Sequence, residues 1–305
     1  MPQVTAILPT YGHPELTLSA IARLREQSAP PAAIIVVDDG AATPFTPPPG
    51  VYLLRHDTNR GFAAAVNTGV RAARTELVAI LNNDVTLAPD WLERLASVIS
   101  SQTVDFACGK LYRPDGLIDG TFDLLCRGGL AWRAGNGRPD GPLWSTPQRI
   151  LFTSYTAMIA KRDAVALDET YHSYYEDVEW SLRAAIDHKT GYFDPSATGV
   201  HTGSATAGAW SAYSTRQLLR NHRRLAHQYL LPEYQREYRI ARTLLRAHCL
   251  NHGQWPDVPA EPIPAKAVDR TRLAELLTAS ENQLRQLQAD STPDRLWRWY
   301  FRLTI

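Results

Sequence analysis

Residues 4–40 read VTAILPTYGHPELTLSAIARLREQSAPPAAIIVVDDG and contain two apolar runs separated by an amphipathic segment. Residues 4–8 and 33–37 are short β-rich runs, which is typical of strands buried on both faces. Between them, residues 14–27 place Leu16, Ala20 and Leu24 at helical spacing, and Pro14 suits a first helical turn. The segment therefore predicts a strand, a helix and a second strand.

The same alternation continues further along the chain. Residues 51–54 and 77–81 predict two more buried strands, and residues 62–74 and 89–100 predict the helices between them. Strands that alternate with helices indicate an α/β fold with an open, mostly parallel, Rossmann-like sheet flanked by helices. Such sheets bind ligands at the carboxyl ends of their strands. The remaining elements expected are loops and edge strands over 105–155, a strand over 150–160, a helix over 176–189, Arg-rich helices over 212–248 and one helix over 268–305.

Composition narrows the classes of protein that this chain can represent. It has 305 residues, 44% hydrophobic, and 32 basic against 31 acidic side chains, so the formal net charge is +1. Disordered and collagen-like classes are excluded, and a charge near zero gives no reason to expect nucleic acid as the main partner. The three widely spaced cysteines fit neither a disulfide framework nor a metal site. We therefore expect a cytoplasmic protein without a signal segment or a membrane span.

Charge is distributed unevenly between the two parts of the chain. Residues 1–204 carry 17 basic and 22 acidic side chains, a balance of −5, whereas residues 205–305 carry 15 and 9, a balance of +6. We predict a catalytic domain over 1–204 and a helical extension over 205–305, with a Pro-rich linker at about 256–264. The basic helices of 212–248 have either a solvated face or an attraction to anionic lipid at the inner face of the cell membrane or to a phosphorylated lipid-linked acceptor. The aromatic tail 295–305 docks on the protein's own core, on a homodimer partner or on that membrane.

Polar residues follow two of the predicted strands. Asp38-Asp39-Gly40 and Asn82-Asn83-Asp84 each suit a turn or a helix cap. However, strand ends of a parallel sheet lie at a common edge, where a carboxylate could hold a divalent cation if a diphosphate and waters complete its oxygen shell. Both interpretations stay open at the level of these residues.

Two later motifs also carry titratable groups. Residues 174–180 (YYEDVEW) place three carboxylates at a helix start, where they either compensate the helix dipole or include an ionised proton acceptor, with aromatic neighbours as a floor for a sugar ring. His201 follows a strand-like pair; it is either a structural histidine or a metal ligand, better suited to Mn²⁺ than to Mg²⁺.

Taken in order, these motifs resemble those of the family 2 glycosyltransferases of the GT-A fold, and they are similar to its bacterial rhamnosyltransferase-like branch. The matching segments cover residues 1–204: 4–11 (VTAILPTY), 34–40 (IIVVDDG), 59–69 (NRGFAAAVNTG), 77–85 (LVAILNNDV), 174–183 (YYEDVEWSLR) and 200–204 (VHTGS).

The resemblance implies a role for individual residues on the donor side. Pro9, Tyr11 and Asp39 would contact the base and ribose of a nucleotide-sugar donor. The rest of the donor pocket would comprise Asn59, Arg60 near the diphosphate, Gly61, Asn67, Asn82 and Asn83. Asp84 and His201 would be ligands of Mn²⁺ or Mg²⁺. Asn82 stands where the family's D-x-D motif has its first aspartate.

The resemblance also implies an inverting reaction. Asp177 matches the catalytic base, with Glu176 and Trp180 on the acceptor side, whereas Thr156-Ala157 departs from the Gly-Ala usual before the acceptor-side strand. The expected donor is dTDP-rhamnose or a UDP-hexose, and the expected acceptor is a hydroxyl of a bacterial surface glycan or a lipid-linked precursor. One alternative is a sugar-phosphate nucleotidyltransferase, which needs a Gly-rich loop with a basic residue after the first strand; residues 8–13 have one glycine and no Lys or Arg. The other alternative is a non-catalytic sugar- or lipid-binding partner, which would be consistent with Asn82 in place of the first aspartate of D-x-D.

Overall fold

The computed structural model describes residues 2–203, 210–229, 231–254, 258 and 262–304. Within them lie twelve strands: β1 Val4–Thr10, β2 Ala33–Asp38, β3 Val51–Arg55, β4 Leu77–Leu81, β5 Val85–Leu87, β6 Phe106–Tyr112, β7 Ile118–Gly120, β8 Asp123–Leu125, β9 Ala131–Arg133, β10 Gln148–Ile150, β11 Ala157–Lys161 and β12 Gly191–His201. The α-helices are α1 Pro14–Arg25, α2 Phe62–Ala72, α3 Trp91–Gln102, α4 Glu176–Ile186, α5 Ala212–Tyr229, α6 Gln235–Asn251, α7 Arg270–Asp290 and α8 Arg295–Thr304.

One large sheet, in the order β10-β12-β6-β11-β4-β1-β2-β3, forms the centre of the molecule. Strands β3, β2, β1 and β4 are parallel, as the strand–helix alternation predicts. Beyond β4 the sheet is mixed, because β11 runs antiparallel to both β4 and β6. The α/β fold class is confirmed. The expectation of burial on both faces is wrong for residues 51–54, since β3 is an edge strand and 65% of Tyr52 is exposed.

The glycine-rich region after α3 differs from expectation in one respect. Strand β6 is an interior strand between β11 and β12, buried along six of its seven residues, rather than a loop or an edge strand. The single strand expected over 150–160 is interrupted: β10 ends at Ile150 and β11 begins at Ala157. The intervening residues turn towards β9, where the hydroxyls of Ser154 and Thr156 accept hydrogen bonds from Arg133.

Helices cover both faces of the sheet because successive side chains of each strand point to opposite sides. Ala6 and Leu8 of β1 belong to a cluster with helices α1 and α3, whereas Ile7 belongs to a cluster with α2 and α4. The second cluster also includes Leu219, Leu245, Leu284 and Trp297 from the four C-terminal helices. The carboxyl ends of β1, β2 and β4 are left facing one cleft.

The C-terminal region contains two helices after residue 268 instead of the single one expected. Helix α7 packs on β8, where the hydroxyl of Ser280 accepts a hydrogen bond from the backbone N–H of Leu125 at 2.8 Å. Helix α8 buries Trp297 and Tyr300 in the core, and the Tyr300 hydroxyl lies 3.0 Å from Glu281 of α7. The tail therefore docks on the protein's own core.

The domain division at residues 204 and 205 stays a prediction. Within the predicted linker, Pro256, Asp257 and residues 259–261 lie outside the described residues, as does Ser204 of the predicted VHTGS motif. Among the helices that the structure describes, no helix is long and apolar enough to cross a bilayer. The three cysteines are buried free thiols.

Candidate active site

A cleft of about 1600 Å³ opens along the carboxyl ends of the central strands. Most of the residues predicted for the site line it. They are Pro9, Tyr11, Asp39, Asn59, Gly61, Asn82, Asn83, Asp84, Glu176, Asp177 and His201. Sheet topology brings them together from six separate segments of the chain.

One end of the cleft is built around the buried carboxylate of Asp39, at the end of β2. Its two oxygens accept hydrogen bonds from the backbone N–H groups of Arg60 and Gly61 at 2.9 and 2.8 Å, and His56 Nδ1 lies 2.6 Å from it. Gly40 permits this approach, because a Cβ there would lie 2.4 Å from the Thr58 carbonyl carbon. Asp39 thus holds the 58–61 turn against the strand end. His56, a lone histidine without a motif, is missed by sequence reasoning.

Three of the predicted site residues do not line the cleft. The guanidinium of Arg60 is on the surface, 2.9 Å from Glu169, so the structure does not place it at a diphosphate. Asn67 uses its amide to hold residues 167–169, donating to the Leu167 carbonyl and accepting from the Leu167 N–H, both at 2.9 Å. Trp180 is fully buried, and its indole N–H donates to the Ala164 carbonyl, so it cannot form a floor for an acceptor.

Asp84 and His201 meet at the centre of the cleft. Strand β12 pairs with β5 so that His201 lies opposite Val85, and this register brings His201 Nε2 to 3.2 Å from Asp84 Oδ1. That carboxylate oxygen is buried and makes no hydrogen bond. On its other side, His201 Nδ1 lies 2.9 Å from Asp119, a residue that sequence reasoning missed because no pattern marks it.

The charges at this pair are strongly coupled to their surroundings. Burial alone would lower the pKa of His201, but the carboxylates of Asp119 and Asp84 outweigh it and raise that pKa to about 9. Burial by itself would raise the pKa of the Asp119 carboxyl, but the hydrogen bond with His201 and the charge of Arg133 outweigh burial and lower that pKa to about 2. The Asp119 carboxylate therefore remains an acceptor at neutral pH.

The donor set of this pair fits a divalent cation. Once a cation displaces the Nε2 proton of His201, this nitrogen and the buried Asp84 oxygen suit Mn²⁺, and a second carboxylate on the far imidazole nitrogen is the usual way to orient a ligating histidine. Within the part of the chain that the structure describes, no cluster of three or more His, Cys, Asp or Glu offers a metal site. Oxygens of a diphosphate and waters would have to complete the shell.

The N-terminus of α4 also lines the cleft, through Glu176 and Asp177. Asp177 is half-buried there, and burial raises its carboxyl pKa against the opposing charge of Arg133. Glu176 is buried, with one oxygen unpartnered, and burial together with Asp177 raises its pKa. The third carboxylate of the motif, Glu179, is structural, since Arg183 and Lys266 bind it at 3.1 and 2.7 Å.

The backbone that leads into α4 is held in a strained conformation. His172, Tyr174 and Tyr175 have φ values of 63°, 67° and 70°, which non-glycine residues rarely adopt. Buried Asn221 of α5 donates to the carbonyls of Tyr171, Ser173 and Tyr174 at 2.8, 2.9 and 2.6 Å. A residue from the predicted extension thus positions the predicted base, which the sequence could not indicate.

Residues 5–165 match the family model described as glycosyl transferase family 2. The chain belongs to this family. Its GT-A fold agrees with the crystal structure of GalNAc-T7 with UDP, GalNAc and Mn²⁺, which aligns with a TM-score of 0.62 over 99% of this chain and 56% of that chain at 13% identity.

Curated relatives match over shorter segments. A pre-mycofactocin glycosyltransferase of Mycobacterium tuberculosis is 27% identical over 166 residues, which is 53% of this chain and 34% of that protein. The succinoglycan biosynthesis protein ExoO of Rhizobium meliloti is 36% identical over 101 residues, which is 31% of this chain and 29% of that protein. The matched segments thus span about a third of the length of these two relatives.

Proposed function

We propose that this member of family 2 is an inverting, divalent-metal-dependent glycosyltransferase that moves a sugar from a nucleoside-diphosphate donor to an acceptor hydroxyl. The observation that carries the proposal is one cleft that joins the orphaned Asp84 oxygen and His201 to Asp177. Single-ligand pockets have volumes of about 300–1,000 Å³. A cleft of about 1600 Å³ has room for a donor and an acceptor together.

The donor end is assigned to the nucleotide. Pro9, Tyr11, Asp39, Asn59 and Gly61 form its walls, and the exposed ring of Tyr11 offers a stacking surface for the base. Asn82 and Asn83 lie between this end and Asp84, although the Asn83 amide already donates to Thr10 and Thr17. We expect Asn83 to hold the strand ends together and Asn82 to reach the donor.

Asp84 and His201 would hold Mn²⁺ or Mg²⁺. When bound, such an ion neutralises the negative charge that develops on the departing diphosphate. The fold neighbour GalNAc-T7 contains UDP and Mn²⁺, which supports this assignment. Asp119 keeps the His201 ring oriented towards Asp84.

Asp177 acts as the base. An acceptor hydroxyl is a weak nucleophile until its proton is removed, so the carboxylate must be ionised and within hydrogen-bond reach of that proton. Attack from the face opposite the leaving diphosphate inverts the anomeric centre. Glu176 lies beside the base, where its unpartnered oxygen can accept a hydrogen bond from the acceptor.

We assign the donor to the dTDP-rhamnose or UDP-hexose type and the acceptor to a bacterial surface glycan or a lipid-linked precursor. Support comes from the relative that takes part in succinoglycan biosynthesis and from the aromatic and imidazole rings of Trp210, Tyr213, His248 and Trp297, which line the cleft. Exposed Trp299 and Leu303 on α8 offer a contact for the inner face of the cell membrane. A non-catalytic sugar- or lipid-binding partner remains the alternative that the experiment must exclude.

The test begins with a thermal-shift screen of UDP-, dTDP- and GDP-sugars, each with and without Mn²⁺. A donor that binds the native state raises Tm by mass action. The selected donor is then used to compare wild type, Asp177→Asn, Asp84→Ala and the exposed control Asp163→Asn in a hydrolysis and transfer assay.

We expect Asp177→Asn to abolish transfer while it retains donor binding, Asp84→Ala to lose the Mn²⁺-dependent shift, and the control to match wild type. Full transfer activity in Asp177→Asn would refute the assignment of Asp177 as the base. A wild-type protein that binds the donor but never turns it over would be the non-catalytic partner.

A further inference from the structure

Arg133, at the end of β9, lies between the two halves of the cleft and has no role in the proposal above. Its aliphatic stem crosses β7 directly over Gly120, where an added Cβ would lie 2.2 Å from Arg133 Cδ and 2.4 Å from Cγ. Any side chain at residue 120 would therefore displace the arginine. The glycine makes room for Arg133 to extend along the wall of the cleft.

The guanidinium reaches the metal half of the site through Asp119. Arg133 Nη1 lies 2.9 Å from Asp119 Oδ2, and His201 Nδ1 lies 2.9 Å from the same oxygen. Arg133 Nη2 donates to the hydroxyls of Ser154 and Thr156 at 2.7 and 3.1 Å. Because a planar guanidinium with several bonded donors has little rotational freedom, this arrangement fixes Asp119 and, through it, the ring of His201.

The same cation faces the acceptor half. Burial lowers the pKa of Arg133, but the charges of Asp119, Asp123 and Asp177 outweigh it and keep the group protonated. Asp123 of β8 is buried with one carboxylate oxygen unpartnered, and burial raises its pKa to about 7 despite Arg133. The cation is thus the opposing charge that limits the rise in the pKa of Asp177 as well.

The other charged groups near Asp177 either raise its pKa or are already paired with another side chain. Helix α7, which packs on α4, carries Glu281, and Arg127 binds that carboxylate at 2.6 Å. Among the described residues that line the cleft together with Asp177, Arg133, Asp123, Glu176, Tyr155 and Tyr175 interact with it electrostatically. Arg133 is the cation in that set.

We infer that Arg133 is a positioning residue that serves both halves of the reaction: it orients His201 through Asp119, and it places a cation on the wall of the cleft that Asp177 also lines. This inference rests on the proposed function. It assigns a role to the pair Arg133 and Gly120, which the family motifs quoted above do not include.

The experiment compares Arg133→Met, Arg133→Lys and Gly120→Ala with the surface control Arg149→Met. Two quantities are measured: the pH profile of kcat/KM with the selected donor, and Mn²⁺ affinity of the substrate-free protein, from the free Mn²⁺ signal in electron paramagnetic resonance. Circular dichroism melting establishes that each variant is folded.

We expect Arg133→Met to move the acid limb of the profile to higher pH, because the base loses its opposing cation. Its kcat/KM at pH 6 should then fall about tenfold further than at pH 8.5. Mn²⁺ affinity should fall about tenfold, as for other residues that orient metal ligands. Arg133→Lys should retain the acid limb and lose Mn²⁺ affinity, Gly120→Ala should follow Arg133→Met, and Arg149→Met should change neither.

An unchanged acid limb or an unchanged Mn²⁺ affinity in a folded Arg133→Met would overturn the inference. If that variant does not fold, Gly120→Ala decides by the same two readouts. Absence of transfer by wild type with every donor would instead count against the proposed function, and the Mn²⁺ titration would still test the metal half of the inference.

Discussion

Asn221→Ala provides a quantitative test of how the α4 N-terminus is held. The substitution removes an amide that donates to three backbone carbonyls of residues 171–174. The amide nitrogen has two hydrogens to share among these carbonyls. The loss of two hydrogen bonds, at about 1 kcal/mol each, should lower the free energy of unfolding by about 2 kcal/mol. For a chain of this size, that corresponds to a decrease in Tm of about 3 °C.

The same change should alter catalysis because the supported backbone is strained. Left-handed φ angles at His172, Tyr174 and Tyr175 cost about 1–3 kcal/mol each, which is comparable with what Asn221 supplies. Without that support the segment should relax and move Asp177 away from the acceptor. A displacement of about 1 Å can reduce the rate about 100-fold.

Asn67→Ala is the matched control, since its amide holds residues 167–169 of the same connection, outside the cleft. Stability is measured by urea unfolding, turnover by transfer to acceptor, and donor affinity by calorimetry. Asn221→Ala should lose stability and kcat while it retains donor affinity, whereas Asn67→Ala should lose stability alone. Equal kcat values in the two variants would refute the role given to Asn221, and weaker donor binding by Asn67→Ala would restore Asn67 to the donor pocket.

Three further predictions concern residues outside the reacting centre. Burial lowers the pKa of His222 to about 4, so the folded state favours the neutral ring. Relative to an unfolded pKa of ~6.5, this shift contributes about 3 kcal/mol to the free energy of unfolding above pH ~6.5. That contribution should be lost as the pH falls from ~6.5 through ~4. His222→Gln can keep the bond to the Gly128 carbonyl, so its urea-unfolding free energy should fall less over that range, and an equal fall would contradict this account. Trp180→Phe should lower stability by about 3 kcal/mol without altering the acceptor KM, because the indole packs in the core; a raised KM would return Trp180 to the acceptor site. The double variant Trp299→Ala, Leu303→Ala should retain wild-type Tm and lose binding to anionic liposomes in flotation, and undiminished flotation would argue against α8 as the membrane contact.

Local patterns in the sequence predict the order of strands and helices through α3, the carboxyl-end position of Asp39 and Asp84, and the start of α4 at Glu176. These features depend on side-chain periodicity and on turn or capping residues within a few positions of one another, so each can be predicted from its local sequence alone. The same information led to the family resemblance and to most of the residues that line the cleft.

Sheet order and helix packing determine the contacts of the site that join residues distant in the chain. Pairing of β5 with β12 joins Asp84 to His201 across more than a hundred residues, and the antiparallel insertion of β11 brings Ser154 and Thr156 to Arg133. No local period encodes Asp119, Arg133 or Asn221, because each acts on a partner that is distant in the chain. Trp180 illustrates the converse: its place in a motif with Asp177 suggested a site residue, but the helix turns it away from the cleft and into the core.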